Sequence, residues 1–329
     1  MPFDAFGRQI DYLRMSLTDQ CNLRCVYCMP MTGLRATPRE DLLSASELEA
    51  VARAAARIGF HKVRLTGGEP TVRADVVEIV ERVSRVEGIR DVGMTTNGIL
   101  MPALAVPLRR AGLQRVNIHI DSLNPQRINR VMRLAKFDDI WAGIEASEAA
   151  GFTPMKLNCV VVRGFNDEDV VELARLTVAR DWHMRFIELM PFGTGECAEL
   201  SRSQLVINAE TRLRIEAALG KLTELPSASR SDESRNFQLK GARGVVGFIS
   251  PVSEPYCGSC NRMRLTADGK FHLCLLHDDE LDVRSALRSG GGEDEVARIL
   301  LQAVAQKPVG HNLHESRWGE KRVMVQIGG

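Results

Sequence analysis

Between residues 10 and 190 short β-rich runs alternate with amphipathic runs, and this alternation limits the fold more than any other feature. It predicts strands at 10–18, 61–66, 91–96, 115–121, 155–162 and 183–190. The clearest helix runs from Ser46 to Ile58, where Leu48, Val51, Ala52 and Ala55 keep helical spacing and Gly59 ends the run. Another is expected to start at Asn166 as N-cap, with Asp167, Glu168 and Asp169 in the first turn, where the helix dipole favours acids. Strand–helix alternation repeated six times implies an α/β chain with a parallel sheet. Six units are too few for a full eight-stranded barrel, so an open partial barrel and a doubly wound sheet both fit. After a helix at 203–219 the texture changes. The stretch from Pro226 to Ser234 reads as a linker or mobile loop. Beyond it come short strands, a hairpin turn at Asp268-Gly269, and helices near 281–289 and 294–305. This second region, of about 100 residues, is small for its own core and needs a brace.

The strands carry a second signal. Leu13, Met15 and Leu17 share one face, while Arg14, Ser16 and Thr18 share the other. Val63 and Leu65 likewise oppose Lys62, Arg64 and Thr66, and Met155 and Leu157 oppose Lys156 and Asn158. Parallel strands buried on both faces read as nearly continuous apolar runs, and these do not. If the apolar faces cover the helices, Arg14, Arg64 and Lys156 line a barrel interior. Such a lumen suits a polyanionic ligand. The competing reading pairs each cation with an acid such as Glu69, Asp121 or Glu188.

Composition narrows the partners. Lys and Arg number 43 against 42 Asp and Glu, a net charge of +1, so no global field attracts a nucleic acid or an anionic membrane. No window approaches 18 uninterrupted apolar residues, which argues against a membrane span. The N-terminus, Met1-Pro2-Phe3-Asp4-Ala5, lacks a basic region followed by an apolar run, so a cytoplasmic protein is expected. Eight cysteines are too sparse for a disulfide scaffold and read better as metal ligands or catalytic thiols.

Cys21, Cys25 and Cys28 fall on one loop just after the first strand. Three thiolates at this spacing wrap a compact iron–sulfur or zinc centre and leave one position open, the mark of a working metal. Cys257 and Cys260 form a second pair, with Cys274 fourteen residues further on, across the expected hairpin. Alone, that set reads as a structural zinc completed by His272 or His277, which would also brace a small region. Cys159 and Cys197 lie outside both sets and read as packing residues.

Cys-x-x-x-Cys-x-x-Cys after the first strand, with Tyr27 before the last cysteine, resembles the radical S-adenosylmethionine superfamily, and Gly67-Gly68-Glu69-Pro70 resembles its GGEP element. Together with the C-terminal cysteines, Arg262-Met263-Arg264 between them and the terminal Gly328-Gly329, the chain from about Gly7 onward is similar to the nucleotide-cyclising radical enzymes of molybdenum-cofactor biosynthesis, a family acting on GTP.

The resemblance implies a partial six-unit β/α barrel over 1–222 and a smaller C-terminal α+β domain over 223–329. It implies two [4Fe-4S] clusters, on Cys21, Cys25 and Cys28 and on Cys257, Cys260 and Cys274. S-adenosylmethionine contacts would be Tyr27, Gly68, Met190 and His119, the last standing where many relatives have Ser. GTP contacts would be Arg14, Arg64, Thr95, Lys156, Arg262, Met263 and Arg264. Gly328 and Gly329 would reach the active site, from a segment 322–327 apolar enough to dock as a strand. The implied partners are GTP, a flavodoxin- or ferredoxin-like electron donor and cyclic pyranopterin monophosphate synthase, with no nucleic acid or membrane, in a monomer or homodimer. The rivals are a radical enzyme acting on peptides, which commonly carries more auxiliary cysteines, and a zinc-bound interaction protein without catalysis.

Overall fold

Twelve strands join in one open sheet in a computed structural model that describes residues 1–227 and 232–328. In chain order they are β1 (Tyr12–Ser16), β2 (Lys62–Thr66), β3 (Asp91–Thr96), β4 (Arg115–His119), β5 (Met155–Val161) and β6 (Trp182–Glu188), then β7 (Leu222–Glu224), β8 (Arg235–Leu239), β9 (Val245–Ile249), β10 (Arg262–Leu265), β11 (Lys270–His272) and β12 (Glu280–Asp282). The spatial order is β12-β11-β10-β1-β2-β3-β4-β5-β6-β9-β8-β7. The first six strands run parallel and in sequence, as the alternation predicts. The chain's last third then extends both edges. β10 adds in parallel to β1 and β9 in parallel to β6, and antiparallel hairpins finish each side.

Period-2 patterning decides which face is buried. Met15, Leu65, Met94, Ile118, Leu157, Met184 and Leu265 are all fully buried under the helices. The first helix is Ala45–Arg57, capped by Ser44, whose hydroxyl accepts from Glu47 N while Glu47 accepts from Ser44 N. It buries Leu48, Val51, Ala52 and Ala55, and Gly59 beyond it takes a positive φ of 104°.

Three local expectations change. The helix placed at Asn166 begins at Val170, after an N-cap at Asp169. Asn166 is buried instead, its amide donating to the carbonyls of Asp121 and Val160, so the side chain that would cap a helix ties two strand ends together. The helix expected over 203–219 starts later, Asn208–Leu219, and a separate helix, Glu196–Ser203, ends where it was to begin. The C-terminal segment forms a helical turn, Met324–Ile327, rather than a strand, burying Val325 and Ile327. Of the stretch read as a linker, residues 228–231 lie outside the described residues, as does Gly329.

Candidate active site

The face opposite the apolar one is cationic. Register places Arg264, Arg14, Arg64 and Gly93 side by side across four strands. Asn117 and Lys156 are neighbours further along, and Asn158 pairs with Arg185. Gly93 leaves space that Arg64 fills, since a Cβ there would stand 3.3 Å from its guanidinium carbon. Tyr12 Oη accepts from Arg64 Nε at 2.7 Å, and Arg64 Nη1 is buried with no hydrogen-bond partner among the described residues. The same is true of Arg185 Nε and Asn158 Oδ1. Orphaned buried polar atoms on a dry face are what a polar ligand would satisfy.

The acids expected to neutralise this face are committed elsewhere. Glu69 accepts from Thr71, Thr96 and the amide of Asn97, and burial pushes its pKa up. Asp121 accepts from Tyr27 Oη and from Val160 N. Glu188 takes the amides of Asn208, Val252 and Ser253. None of the three bonds to Arg64 or Lys156 among the described residues. A carboxylate that does enter the cationic face is Glu233, paired with Arg262, and the sequence reading missed it. Arg185 was missed as well, although the alternation of β6 puts it on this face. Burial, then Arg185, Arg115 and Arg64, lower the Lys156 ammonium to about 7. Burial, then Lys156 and Arg185, bring His183 to about 4.

The two cysteine sets lie at opposite strand ends. Cys21, Cys25 and Cys28 follow the C-terminal end of β1, whereas Cys257 and Cys260 precede the N-terminal end of β10, its parallel neighbour. The five residues of β1 therefore separate them by roughly 16 Å along the strand. All six thiols are partly exposed and unlinked.

The N-terminal loop is clamped by the glycines after β2. Gly68 N donates to Thr18 O at 2.7 Å and Glu69 N to Gln20 O at 2.8 Å. A Cβ on Gly68 would lie 2.3 Å from Gln20 O, so only glycine permits this approach. Tyr27 Oη bonds both Asp121 and His119, and His119 Nε2 is 2.9 Å from Asp121 Oδ1, so Tyr27 and His119 meet as one network.

The C-terminal set lines a cavity with about 580 Å³ of empty space, part of it open to solvent. Cys257, Cys260, Cys274, Met190, Arg262, Arg264, Lys307 and His311 all face it. Arg8, held by Asp4, donates to the carbonyls of Cys257, Pro308 and Val309 and so braces this end from the far N-terminus. His272 pairs with Glu280 and His277 with Asp279, and neither lines the cavity, against the zinc reading that used them. Among the described residues no three Cys, His, Asp or Glu side chains converge as ligands of a single metal ion. Thiolates of a cubane sit on different irons and stand further apart. Three free, partly exposed thiols brought together by each set are a donor set that fits an iron–sulfur cluster.

Thr95 is half-buried on the cationic face beside Asn117. Met263 is not on that face. It pairs with Leu13 in the core and is fully buried, so only its main chain can reach a ligand there. Gly328 closes the tail with φ +80°, and its carbonyl accepts from Arg264 Nη1 at 2.9 Å. A Cβ at Gly328 would lie 2.5 Å from Thr66 Oγ1, so the tail does enter the lumen where a side chain would clash. Its partner Gly329 is outside the described residues.

Residues 15–177 match the Radical SAM superfamily and residues 182–313 match Molybdenum Cofactor Synthesis C. The chain is 46% identical over 326 residues to a GTP 3′,8-cyclase from Moorella thermoacetica, covering 99% of each chain. It is 46% identical over 327 residues to one from Heliobacterium modesticaldum, again covering 99% of each. Among solved structures it resembles Streptococcus suis SuiB bound to S-adenosylmethionine, with a TM-score of 0.62 at 14% identity, covering 92% of this chain and 67% of that one. That likeness bears out the partial-barrel fold alone.

Proposed function

The chain belongs to the GTP 3′,8-cyclase family of radical S-adenosylmethionine enzymes, and on that premise we propose that it cyclises GTP to (8S)-3′,8-cyclo-7,8-dihydroguanosine 5′-triphosphate, the first step of molybdenum-cofactor biosynthesis. The observation that carries this reading is the cationic strand face running between two three-cysteine loops. Cys21, Cys25 and Cys28 would hold one [4Fe-4S] cluster, which with S-adenosylmethionine would supply radical chemistry at that end, and Cys257, Cys260 and Cys274 would hold a second, which would bind the guanine.

The chain's own side chains do the positioning. Arg14, Arg64 and Lys156, with Thr95, take the triphosphate, because bonds between ionised groups in a dry lumen are strong and directional. Arg262 and Arg264 act nearer the base, and Met263 contributes only main-chain groups. Tyr27, Gly68 and His119 shape the S-adenosylmethionine site, and Met190, which faces the cavity of the C-terminal cysteines, would reach it from that side. In that site Asp121 orients the Tyr27 and His119 side chains. Gly328 carries the tail into the lumen, where Arg264 holds its carbonyl beside β1 and β2, and Gly329, outside the described residues, would act with it. Residues 1–222 would then form the radical domain and 223–329 the domain with the second cluster. A flavodoxin- or ferredoxin-like protein would donate the electron, and cyclic pyranopterin monophosphate synthase would take the product. No helix among the described residues is long and apolar enough to cross a membrane. A cytoplasmic monomer or homodimer is the setting this chemistry suits.

The test is anaerobic turnover of reconstituted protein with GTP, S-adenosylmethionine and a reductant, followed by product identification. A product with a new bond between C8 and the 3′ carbon is expected. Release of 5′-deoxyadenosine with GTP returned intact would overturn the reading.

A further inference from the structure

Glu233 enters the lumen from the stretch that leads into β8. It lines the cavity shared by Cys257, Cys260 and Cys274, its carboxylate pairs with Arg262, and its side chain is 24% exposed. Burial alone would favour the neutral acid. Arg262, then Arg14, Arg185 and Arg64, reverse that and hold the carboxyl far below the usual carboxylate range. Asp232 beside it also acts on Arg185. The contact is anchored. Ser234, the next residue, is buried, and its hydroxyl donates to Asn236 at 3.0 Å. It packs so closely over β9 that a Cβ on Gly247 would lie 2.4 Å from Ser234 Oγ. A chain carboxylate thus stands among the same guanidinium groups that a polyphosphate would use. Two anions that share those groups in a low-dielectric site repel each other.

We propose, resting on the GTP reading above, that Glu233, held by Arg262, is a resident counter-ion of the lumen and that the triphosphate competes with its carboxylate for the neighbouring Arg14, Arg64 and Arg185. The competition weakens binding of every polyphosphate anion that reaches these groups. It leaves the uncharged part of the nucleotide untouched.

The experiment is anaerobic titration calorimetry of the reconstituted protein with three probes: inorganic tripolyphosphate, GTP and guanosine. In E233Q, which keeps shape and removes charge, tripolyphosphate and GTP should each bind about tenfold tighter or more, equivalent to one strong charged contact. Guanosine should bind unchanged. E233D, which retracts the charge by one methylene, should tighten tripolyphosphate by a smaller factor and guards against misfolding of the first variant. Unchanged or weaker tripolyphosphate binding in both variants overturns the proposal. Weakened guanosine with unchanged tripolyphosphate also overturns it and makes the carboxylate a reader of the base. If the wild-type protein binds tripolyphosphate but not GTP, the functional reading fails while the counter-ion proposal is still decided by the variants.

Discussion

The two cysteine loops look alike in sequence and differ in their electrostatics. At the N-terminal loop burial pushes Cys21 up to about 11 and raises Cys25 and Cys28 well above the ordinary thiol value. The charged neighbours of Cys25 are Asp121 and its fellow thiols, which add to the effect. At the C-terminal loop burial also raises the thiols, but Lys307 and Arg262 bring Cys260 down to about 6. At Cys257 burial is the largest single influence, but the side-chain and backbone hydrogen bonds and the charge of His311 together outweigh it and lower the thiol, while Cys274 stays raised because burial exceeds the pull of Lys307. One loop therefore holds its thiols protonated until a metal displaces the protons, and the other presents a ready thiolate among cations. Cations around a site favour added negative charge, so the same contrast should make a cluster at the C-terminal end the easier one to reduce.

The comparison breaks most visibly if the two loops prove interchangeable. Cys25→Ala should abolish reductive cleavage of S-adenosylmethionine, a loss of about a thousandfold or more in a step that needs the cluster chemistry. Cys274→Ala should keep 5′-deoxyadenosine formation and lose the cyclised nucleotide. Chromatography of both products from anaerobic reactions tells the two patterns apart, and equal loss in both variants would merge the roles of the loops.

A smaller effect sharpens the electrostatic contrast directly. In cluster-free protein at pH 7, iodoacetamide should label Cys260 on the order of a hundredfold faster than Cys21. The larger thiolate fraction is partly offset by lower intrinsic nucleophilicity. Raising the pH from 7 to 9 should speed Cys21 in proportion to its growing thiolate and leave Cys260 almost unchanged. Peptide mass spectrometry of timed samples reads both rates; equal rates at pH 7 would remove the contrast.

The smallest effect lies between the loops. Lys156 is lowered to about 7, so in the ligand-free lumen it carries a proton mainly below that pH. A bound triphosphate stabilises the protonated form and raises the pKa again. GTP affinity should therefore be steady below pH 7 and fall severalfold by pH 8.5, with protons taken up on binding. Calorimetry in two buffers of different ionisation enthalpy measures that uptake. Lys156→Arg, always charged, should flatten the profile.

Most of the frame was legible because strand alternation is a local signal that the sheet obeys. All six parallel strands appear within a few residues of the expected runs, and Arg14, Arg64 and Lys156 share one face, as their spacing requires. The same rule, carried to Arg262-Met263-Arg264, puts the methionine on the other face from its neighbours. Pairing across loops was not legible. Nothing in the composition of 226–234 tells that Glu233 reaches Arg262 while Glu69, Asp121 and Glu188 turn to hydroxyls and amides. The Arg8 brace hides for the same reason, since its partners are main-chain carbonyls about three hundred positions away and carry no side-chain signature.

The strand order has a consequence for synthesis on the ribosome. β1 lies between β2 and β10, so one of its edges waits for residues 262–265 to emerge. At roughly 5–20 residues per second that wait lasts on the order of tens of seconds. An unpaired strand edge is a template for other chains. During that interval the half-made protein carries Cys21, Cys25 and Cys28 beside an open edge. The Arg8 contacts that tie the first residues to the last third form only when synthesis is nearly complete. Until then the nascent chain depends on whatever shields that edge.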